Sequence, residues 1–190
     1  MKKEEFAVKK VMLIGDSIRL GYQAYVSEEL GDEYEIWGSE DNNRFAKYCL
    51  RNLPSMFKEC GKPDIIHWNN GLWDMAIVYE EDGPLTPIDL YISDMSKILR
   101  ELRKVTDKII FATTTPVKPE KEDQKNEIIT EYNNRIVEFM KKENIVINDL
   151  NSLVSTDPDK YICDDNMHLS EEGKKACAKQ VAEYIRKISE

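Results

Sequence analysis

The sequence lacks the features of membrane-bound, secreted and nucleic-acid-binding proteins. Its 190 residues contain no apolar run near the roughly 20 residues of a membrane span. Residues 1–6 include Glu4 and Glu5, which interrupt any apolar core of a signal peptide. The net charge of −9 and the pI of about 4.9 provide no basic surface for phosphate backbones or anionic lipids. We therefore expect a cytoplasmic protein that binds neither nucleic acid nor membranes.

Cysteine is scarce and follows no metal-binding pattern. The four cysteines form no CxxC pair and no other spacing typical of zinc. A chain of this length builds a sufficient core without disulfides, so we expect reduced thiols. Cys163 lies five residues before His168 in the sequence and is kept as an alternative nucleophile.

Short apolar segments of strand length alternate with longer segments of helical periodicity. The predicted strands are Lys10–Ile14, Tyr34–Trp37, Ile65–Trp68, Lys108–Ala112 and Ile145–Ile147. The predicted helices are Ile18–Leu30, Arg44–Lys58, Ile88–Val105, Lys125–Lys142 and Ser170–Ile188. This alternation, without repeats or Gly/Ser linkers, predicts one α/β domain over residues 1–190, a three-layer α/β/α sandwich with a five-stranded parallel sheet. Its ligands should bind beyond the carboxyl ends of the strands.

The tripeptide Gly15-Asp16-Ser17 stands between the first predicted strand and the first helix. Gly15 permits a tight turn, and the free N–H groups at a helix start stabilise an oxyanion beside a serine nucleophile. Asp16 and Ser17 are equally suited to cap the helix without any catalytic role. The tripeptide alone therefore does not establish an active site.

A second polar segment, Asp164–Ser170, precedes the last predicted helix. Within it, Asp165 and His168 are three residues apart, so a turn places the carboxylate on one imidazole nitrogen and leaves the other to accept a serine proton. Capping of the last helix by Ser170 does not explain the histidine. The other histidine, His67, lies in an apolar strand and is expected in the core.

Together, Ile14-Gly15-Asp16-Ser17 after the first strand and Asp165-x-x-His168 before the last helix resemble the outer sequence blocks of the GDSL-type, or SGNH, hydrolases. The two blocks bracket nearly the whole chain. The resemblance implies a flavodoxin-like sandwich that hydrolyses acyl esters of small molecules or carbohydrates, mainly acetyl or short-chain ones, without a cofactor. It implies that Ser17 is the nucleophile, His168 the general base and Asp165 its orienting partner.

The third block of that family departs from the usual Gly-x-Asn-Asp. It reads Gly71-Leu72-Trp73-Asp74, so Trp73 stands where the Asn of the oxyanion hole is expected. Asn69 or Asn70, immediately before this block, has the side-chain amide that such a donor needs, and we choose Asn70.

The second block normally supplies a glycine N–H to the oxyanion. Our alignment places Asn43 there, and Gly38 is the competing choice because it ends the second predicted strand. Asn tolerates left-handed backbone better than most residues. The expected oxyanion donors are Ser17, Asn43 and Asn70.

Two other functions remain compatible with the sequence. A lysophospholipase or thioesterase for longer acyl chains needs an apolar groove beside Ser17, and a non-catalytic ligand-binding sandwich is suggested by Trp73 in the Asn position. Arg19 is a candidate for binding an anionic group or forming an ordinary salt bridge. Trp68, Trp73 and Tyr22 are candidates for a sugar-binding rim. The sequence does not indicate an oligomeric state.

Overall fold

Five parallel strands form the centre of the computed structural model, which describes residues 8–190. The strands are β1 (Lys9–Ile14), β2 (Tyr34–Gly38), β3 (Ile65–Trp68), β4 (Ile109–Ala112) and β5 (Val146–Asn148). Their spatial order is β2-β1-β3-β4-β5, and every neighbouring pair is parallel. β3 and β4 are entirely buried, as expected for strands covered on both faces. The predicted five-stranded parallel sheet is confirmed.

Helices cover both faces of this sheet. They are α1 (Ser17–Leu30), α2 (Ala46–Cys60), α3 (Leu72–Met75), α4 (Ile88–Leu102), α5 (Asn126–Lys142), α6 (Leu150–Ser155), α7 (Pro158–Tyr161) and α8 (Glu171–Ser189). Two short 3-10 turns occur at Gly31–Glu33 and Glu80–Asp82. Helices α1 and α8 pack together on one face, and α2, α4 and α5 pack in succession on the other. The result is the predicted three-layer α/β/α sandwich.

The predicted strands and long helices all occur, with ends shifted by a few residues. Helix α2 begins at Ala46 rather than Arg44, because Arg44 has a left-handed backbone with a φ of 43°. Helix α4 ends at Leu102 rather than Val105. The short helices α3, α6 and α7 were not predicted, since segments of four to six residues are too short to show helical periodicity.

The strand order defines where the chain reverses direction across the sheet. From β1 the chain moves outward to β2 and then returns past β1 to β3, so a crevice opens beyond the carboxyl ends of β1 and β3. The segments that follow these two ends are 15–17 and 69–74. They contain Ser17 and the third sequence block.

Two expectations concern the relation of the chain to membranes. Residues 1–7, on which the expected lack of a signal peptide rests, lie outside the described residues. Between residues 8 and 190, none of the helices combines the length and apolar character that crossing a membrane requires.

Candidate active site

Ser17 is the first residue of α1, directly after the turn that follows β1. Asp16 is the N-cap of this helix, and its Oδ1 accepts the N–H of Ile18 at 3.0 Å. The Ser17 N–H is the first of the helix and has no acceptor within it. The close approach of the Arg19 side chain requires glycine at position 15, because a Cβ on Gly15 would lie 2.7 Å from the Arg19 Cβ. Since Asp16 performs the capping, the Ser17 hydroxyl is left for other partners.

His168 lies between Ser17 and Asp165. Its Nε2 is 2.9 Å from the Ser17 Oγ, and its Nδ1 is 2.5 Å from the Asp165 Oδ2. In a neutral imidazole the nitrogen that faces the carboxylate carries the proton, so Nε2 accepts the serine hydroxyl proton. The structure therefore brings the three residues into one hydrogen-bond chain at the carboxyl edge of the sheet.

The Asp165 carboxylate is held by its own loop. Its Oδ1 accepts the N–H groups of Met167 at 3.0 Å and His168 at 2.9 Å, and the Cys163 thiol at 3.1 Å. Burial favours a higher pKa for Asp165, but the bonds from the His168 ring, the thiol and the two N–H groups outweigh it and lower the pKa below its ordinary value. Asn166 has a φ of 68°, which gives the loop its tight turn. The Asp165 carboxylate therefore stays ionised.

Cys163 contacts the aspartate rather than the imidazole. Its Sγ lies 3.1 Å from Asp165 Oδ1, and burial and this bond raise the pKa of its thiol. A nucleophilic cysteine needs a lowered pKa and a nearby base. The geometry therefore favours Ser17 over Cys163 as the nucleophile, and all four cysteines are free thiols.

Asn43 hydrogen-bonds to Gly15, whereas its backbone N–H was expected to face the oxyanion. Its N–H donates to the Gly15 carbonyl at 3.3 Å, and its Oδ1 accepts the Gly15 N–H at 3.4 Å. The backbone N–H that was expected to face the oxyanion is thus directed to the turn before Ser17. The side chain is fully buried, and its Nδ2 has no acceptor among residues 8–190.

Asn70 makes hydrogen bonds within the fold, and its role as an oxyanion donor stays a prediction. Its Oδ1 accepts the Trp68 Nε1–H at 2.8 Å, and its Nδ2 donates to the Arg44 carbonyl at 3.0 Å and lies 3.5 Å from the carbonyl before it. The side chain is fully buried. The alternative, Asn69, donates its Nδ2 to the Ala112 carbonyl at 3.0 Å. Both amides hold backbone segments together in this conformation.

Many solved structures share this architecture, and 75 chains match it. A lipase/acylhydrolase from Enterococcus faecalis has a TM-score of 0.82 and 17% sequence identity over 94% of this chain and 96% of that chain. An acetyl xylan esterase has a TM-score of 0.78 and 20% identity over 93% and 99%. A GDSL-like lipase from Bacteroides thetaiotaomicron has a TM-score of 0.75 and 16% identity over 98% and 92%. The chain has the GDSL-type hydrolase fold. Its sequence matches no protein-family model and no curated protein.

Within this GDSL-type fold, Asp74 of the third block caps a helix that belongs to another segment. Its Oδ2 accepts the N–H of Ala46 at the start of α2, at 2.9 Å. Burial raises the pKa of Asp74 to about 7, although the bonds from the Ala46 N–H and the Thr86 side chain oppose the rise. The sequence signal for this role was weak, because the cap joins residues 28 positions apart.

Arg19 is fully buried, so it presents no guanidinium to an anionic substrate, and among residues 8–190 it donates to carbonyls and to the Gln23 side chain rather than to a carboxylate. Its guanidinium donates to the carbonyls of Gly15, Ser39 and Asp41 at 3.2, 2.6 and 2.9 Å. It therefore ties the loop after β2 to the turn that carries the nucleophile, and it presents no surface to a substrate. Burial raises the pKa of Asp16 in the same region to about 6, partly offset by the Ile18 N–H bond and the nearby Arg19 charge.

The aromatic and histidine candidates differ in how far their side chains are buried. Trp68 and Tyr22 are buried, whereas 39% of Trp73 is exposed, so of these three only Trp73 presents a substantial surface to solvent. His67 is fully buried as predicted, and its Nε2 accepts the Asn148 Nδ2–H at 3.1 Å. Burial lowers the pKa of His67 to about 3, so the ring stays neutral.

A cleft of about 500 Å³ opens beside Ser17 and His168. It is lined by Ser17, Ile18, Gly21, Cys163, His168, Leu169, Ser170, Glu171 and Lys174, and its surface is mostly apolar. Its volume lies within the range of small-molecule binding pockets. The apolar groove that the longer-chain alternative requires is thus present beside Ser17.

Proposed function

We propose that this protein is a serine esterase that hydrolyses acyl esters of small molecules or carbohydrates. The observation that carries the proposal is the hydrogen-bond chain from the Ser17 Oγ through His168 to Asp165. Nucleophile, base and orienting acid need this connectivity, and a structural N-cap needs none of it.

In the proposed reaction, the His168 Nε2 removes the Ser17 proton while the Oγ attacks the carbonyl carbon of the ester. The tetrahedral intermediate collapses when His168 returns the proton to the leaving alcohol oxygen, which leaves an acyl group on Ser17. A water molecule, deprotonated by His168, then attacks the acyl carbon. The bond from that carbon to the Ser17 Oγ breaks, His168 returns the proton to Oγ, and the acid leaves. Asp165 remains ionised throughout and stabilises the imidazolium, in agreement with its lowered pKa.

The oxyanion needs donors that the fold does not already use. We propose the Ser17 N–H, free at the start of α1, as the first donor. We propose the Asn43 Nδ2 as the second, because it is a buried donor with no acceptor among the described residues. A buried unpaired amide is unfavourable in the free protein, and a negatively charged oxygen would satisfy it.

The structural comparisons support the reaction class. Two of the similar proteins are a lipase/acylhydrolase and an acetyl xylan esterase, and both names describe cleavage of acyl esters. The proposed base is also accessible, since 39% of the His168 side chain is exposed. These observations favour an esterase over a sandwich that only binds a ligand.

Hydrolysis of 4-nitrophenyl acetate by the wild type and by Ser17→Ala tests the proposal. We expect kcat to fall by roughly 10⁴–10⁶ in Ser17→Ala, as in other catalytic triads. Ser27→Ala is the matched control, because Ser27 is an exposed serine on the same helix and should not matter. A fluorophosphonate probe should label the wild type once, on Ser17. Equal activity of wild type and Ser17→Ala would contradict the proposal.

A second candidate function, hydrolysis of esters with longer acyl chains, requires that the acyl chain rather than the alcohol occupies the cleft. The apolar wall of the cleft begins at Ser17 itself and extends beyond the space that an acetyl group fills. Rates with 4-nitrophenyl acetate, butyrate and octanoate separate the two candidates. A kcat/KM that rises steadily with acyl length would favour the lysophospholipase or thioesterase function over the short-chain one.

A further inference from the structure

The wall of the cleft contains a glycine that the fold does not require. Gly21 lies inside α1, where glycine is less favourable than alanine. The three atoms nearest to a Cβ on Gly21 would all belong to the Lys174 side chain, at 3.6–3.9 Å, which is ordinary van der Waals contact. By contrast, a Cβ on Gly173 would lie 2.1 Å from the Tyr161 carbonyl oxygen. Neither backbone conformation nor a close contact requires glycine at position 21, which lines the cleft.

Gly21 extends the cleft away from the nucleophile. It follows Ser17 by four residues, so the two lie one helical turn apart on the same face of α1. Ile18 completes this wall, and Leu169 and Lys174 contribute to the rest of the lining. The cleft therefore runs along α1 from Ser17 toward Gly21, where the Lys174 side chain borders it.

The position of His168 decides which part of an ester enters this space. The proton that His168 Nε2 takes from Ser17 must be returned to the leaving alcohol oxygen, so that oxygen lies within hydrogen-bond reach of Nε2. His168 and the next residue, Leu169, both line the cleft. The oxyanion instead faces the Ser17 N–H at the start of the helix. The alcohol part of the ester is thus directed into the cleft.

The charges of the cleft select a neutral occupant. The Lys174 ammonium is paired with the Glu171 carboxylate at 2.5 Å, and Glu171 also accepts the Tyr25 hydroxyl. The apolar part of the lining includes Ile18, Leu169 and the methylene groups of Lys174, beside Cys163 and Ser170. An anionic or strongly polar alcohol would gain no unpaired partner here.

We infer that this cleft is the leaving-group subsite and that it takes a neutral, apolar alcohol of several carbon atoms. The inference rests on the proposed esterase function. Gly21 keeps the subsite open, and the Lys174 side chain, which passes over Gly21, limits its width.

Two matched ester series test the inference. In the alcohol series, methyl, butyl and hexyl acetate share the acyl group; in the acyl series, methyl acetate, butyrate and hexanoate share the alcohol. Gly21→Leu should lower the ratio of kcat/KM for hexyl over methyl acetate at least tenfold, since each excluded methylene matters in an apolar pocket. Lys174→Ala should raise the same ratio several-fold. Ala24→Leu, an exposed position on α1 outside the cleft, should leave the ratio unchanged.

Other outcomes overturn the inference. If Gly21→Leu instead lowers only the ratio of methyl hexanoate over methyl acetate, the cleft holds the acyl chain. If Gly21→Leu does not fold, an unchanged ratio in Lys174→Ala contradicts the inference by itself.

A binding measurement separates this inference from the proposed function. In Ser17→Ala, which cannot turn over, 1-hexanol should shift the NMR signals of the Ile18 and Leu169 methyl groups, and adding Gly21→Leu should abolish the shifts. No shift in Ser17→Ala, with the wild type active on aryl acetate, would overturn the leaving-group subsite alone. An inactive wild type would overturn the esterase proposal instead.

Discussion

The two sides of the nucleophile are built in different ways. On one side, His168 and Asp165 have 39% and 48% of their side chains exposed, and the bonds of their loop span only two or three residues. On the other side, Asn43, Asn70 and Asp74 are fully buried, and their bonds join segments 26 to 28 residues apart. The base is therefore presented by a local turn, while the opposite wall is part of the core.

This difference predicts that turnover and the free energy of unfolding depend on different residues. Exposed polar pairs contribute little to the free energy of unfolding, whereas a buried group that loses its partner is costly. Substitutions in the exposed loop should change turnover and spare the fold. Apart from Asn43, the proposed oxyanion donor, substitutions in the buried wall should change stability more than turnover.

The largest expected effect is on the exposed side. His168→Ala should lower kcat/KM by roughly 10⁴–10⁶, because the general base is lost. The melting temperature should change little, since the side chain is partly exposed and packs at the surface. Aryl acetate kinetics and thermal unfolding by circular dichroism measure both, with the exposed Glu172→Ala as control. A large loss of stability in His168→Ala would contradict the proposed difference between the exposed loop and the buried wall.

An intermediate effect is expected at Asp74 and depends on pH. The pKa of Asp74 is about 7 in the folded state and has the ordinary value of 3.8 in the unfolded state. Between pH 3.8 and pH 7 the folded state therefore keeps a proton that the unfolded state has released. The Asp74 contribution to stability is therefore greatest below pH 4 and is lost as the pH rises through 7. Asp74→Asn should remove this loss of stability. A pKa difference of this size corresponds to several kcal/mol in the free energy of unfolding.

Urea unfolding of wild type and Asp74→Asn between pH 4 and pH 8 measures this dependence. The stability of the variant relative to wild type should increase with pH up to about 7 and then level off. Asp32→Asn, at an exposed carboxyl, is the control. A pH-independent difference would show that Asp74 carries no proton in the folded state.

The smallest effect expected is at Asn70. Asn70→Ala leaves the buried Trp68 Nε1–H and the Arg44 carbonyl without their partner, so the free energy of unfolding should fall by about 1–3 kcal/mol. Turnover should fall less than tenfold. Asn134→Ala, at an exposed position on α5, is the control. A fall in kcat of roughly 10²–10³ with unchanged stability would instead identify Asn70 as an oxyanion donor.

Local patterns in the sequence were sufficient for much of this description. Hydrophobic periodicity located five strands and five long helices, because a period of two or of 3.6 residues is visible within a single segment. The spacing of Asp165 and His168 predicted their contact for the same reason, since a turn of three residues fixes it. The Ser17 position followed from the junction of a strand and a helix.

Only the tertiary structure decided what the buried polar residues do. The sequence marked Asn70 and Arg19 as candidates for the site, but their donors are used by carbonyls of distant loops. Such partners are chosen when the sheet brings separate strand ends together, and a buried amide or guanidinium must then pair with whatever carbonyl lies there. The cleft over Gly21 arises in the same way, from helices α1 and α8 that meet only in the folded chain.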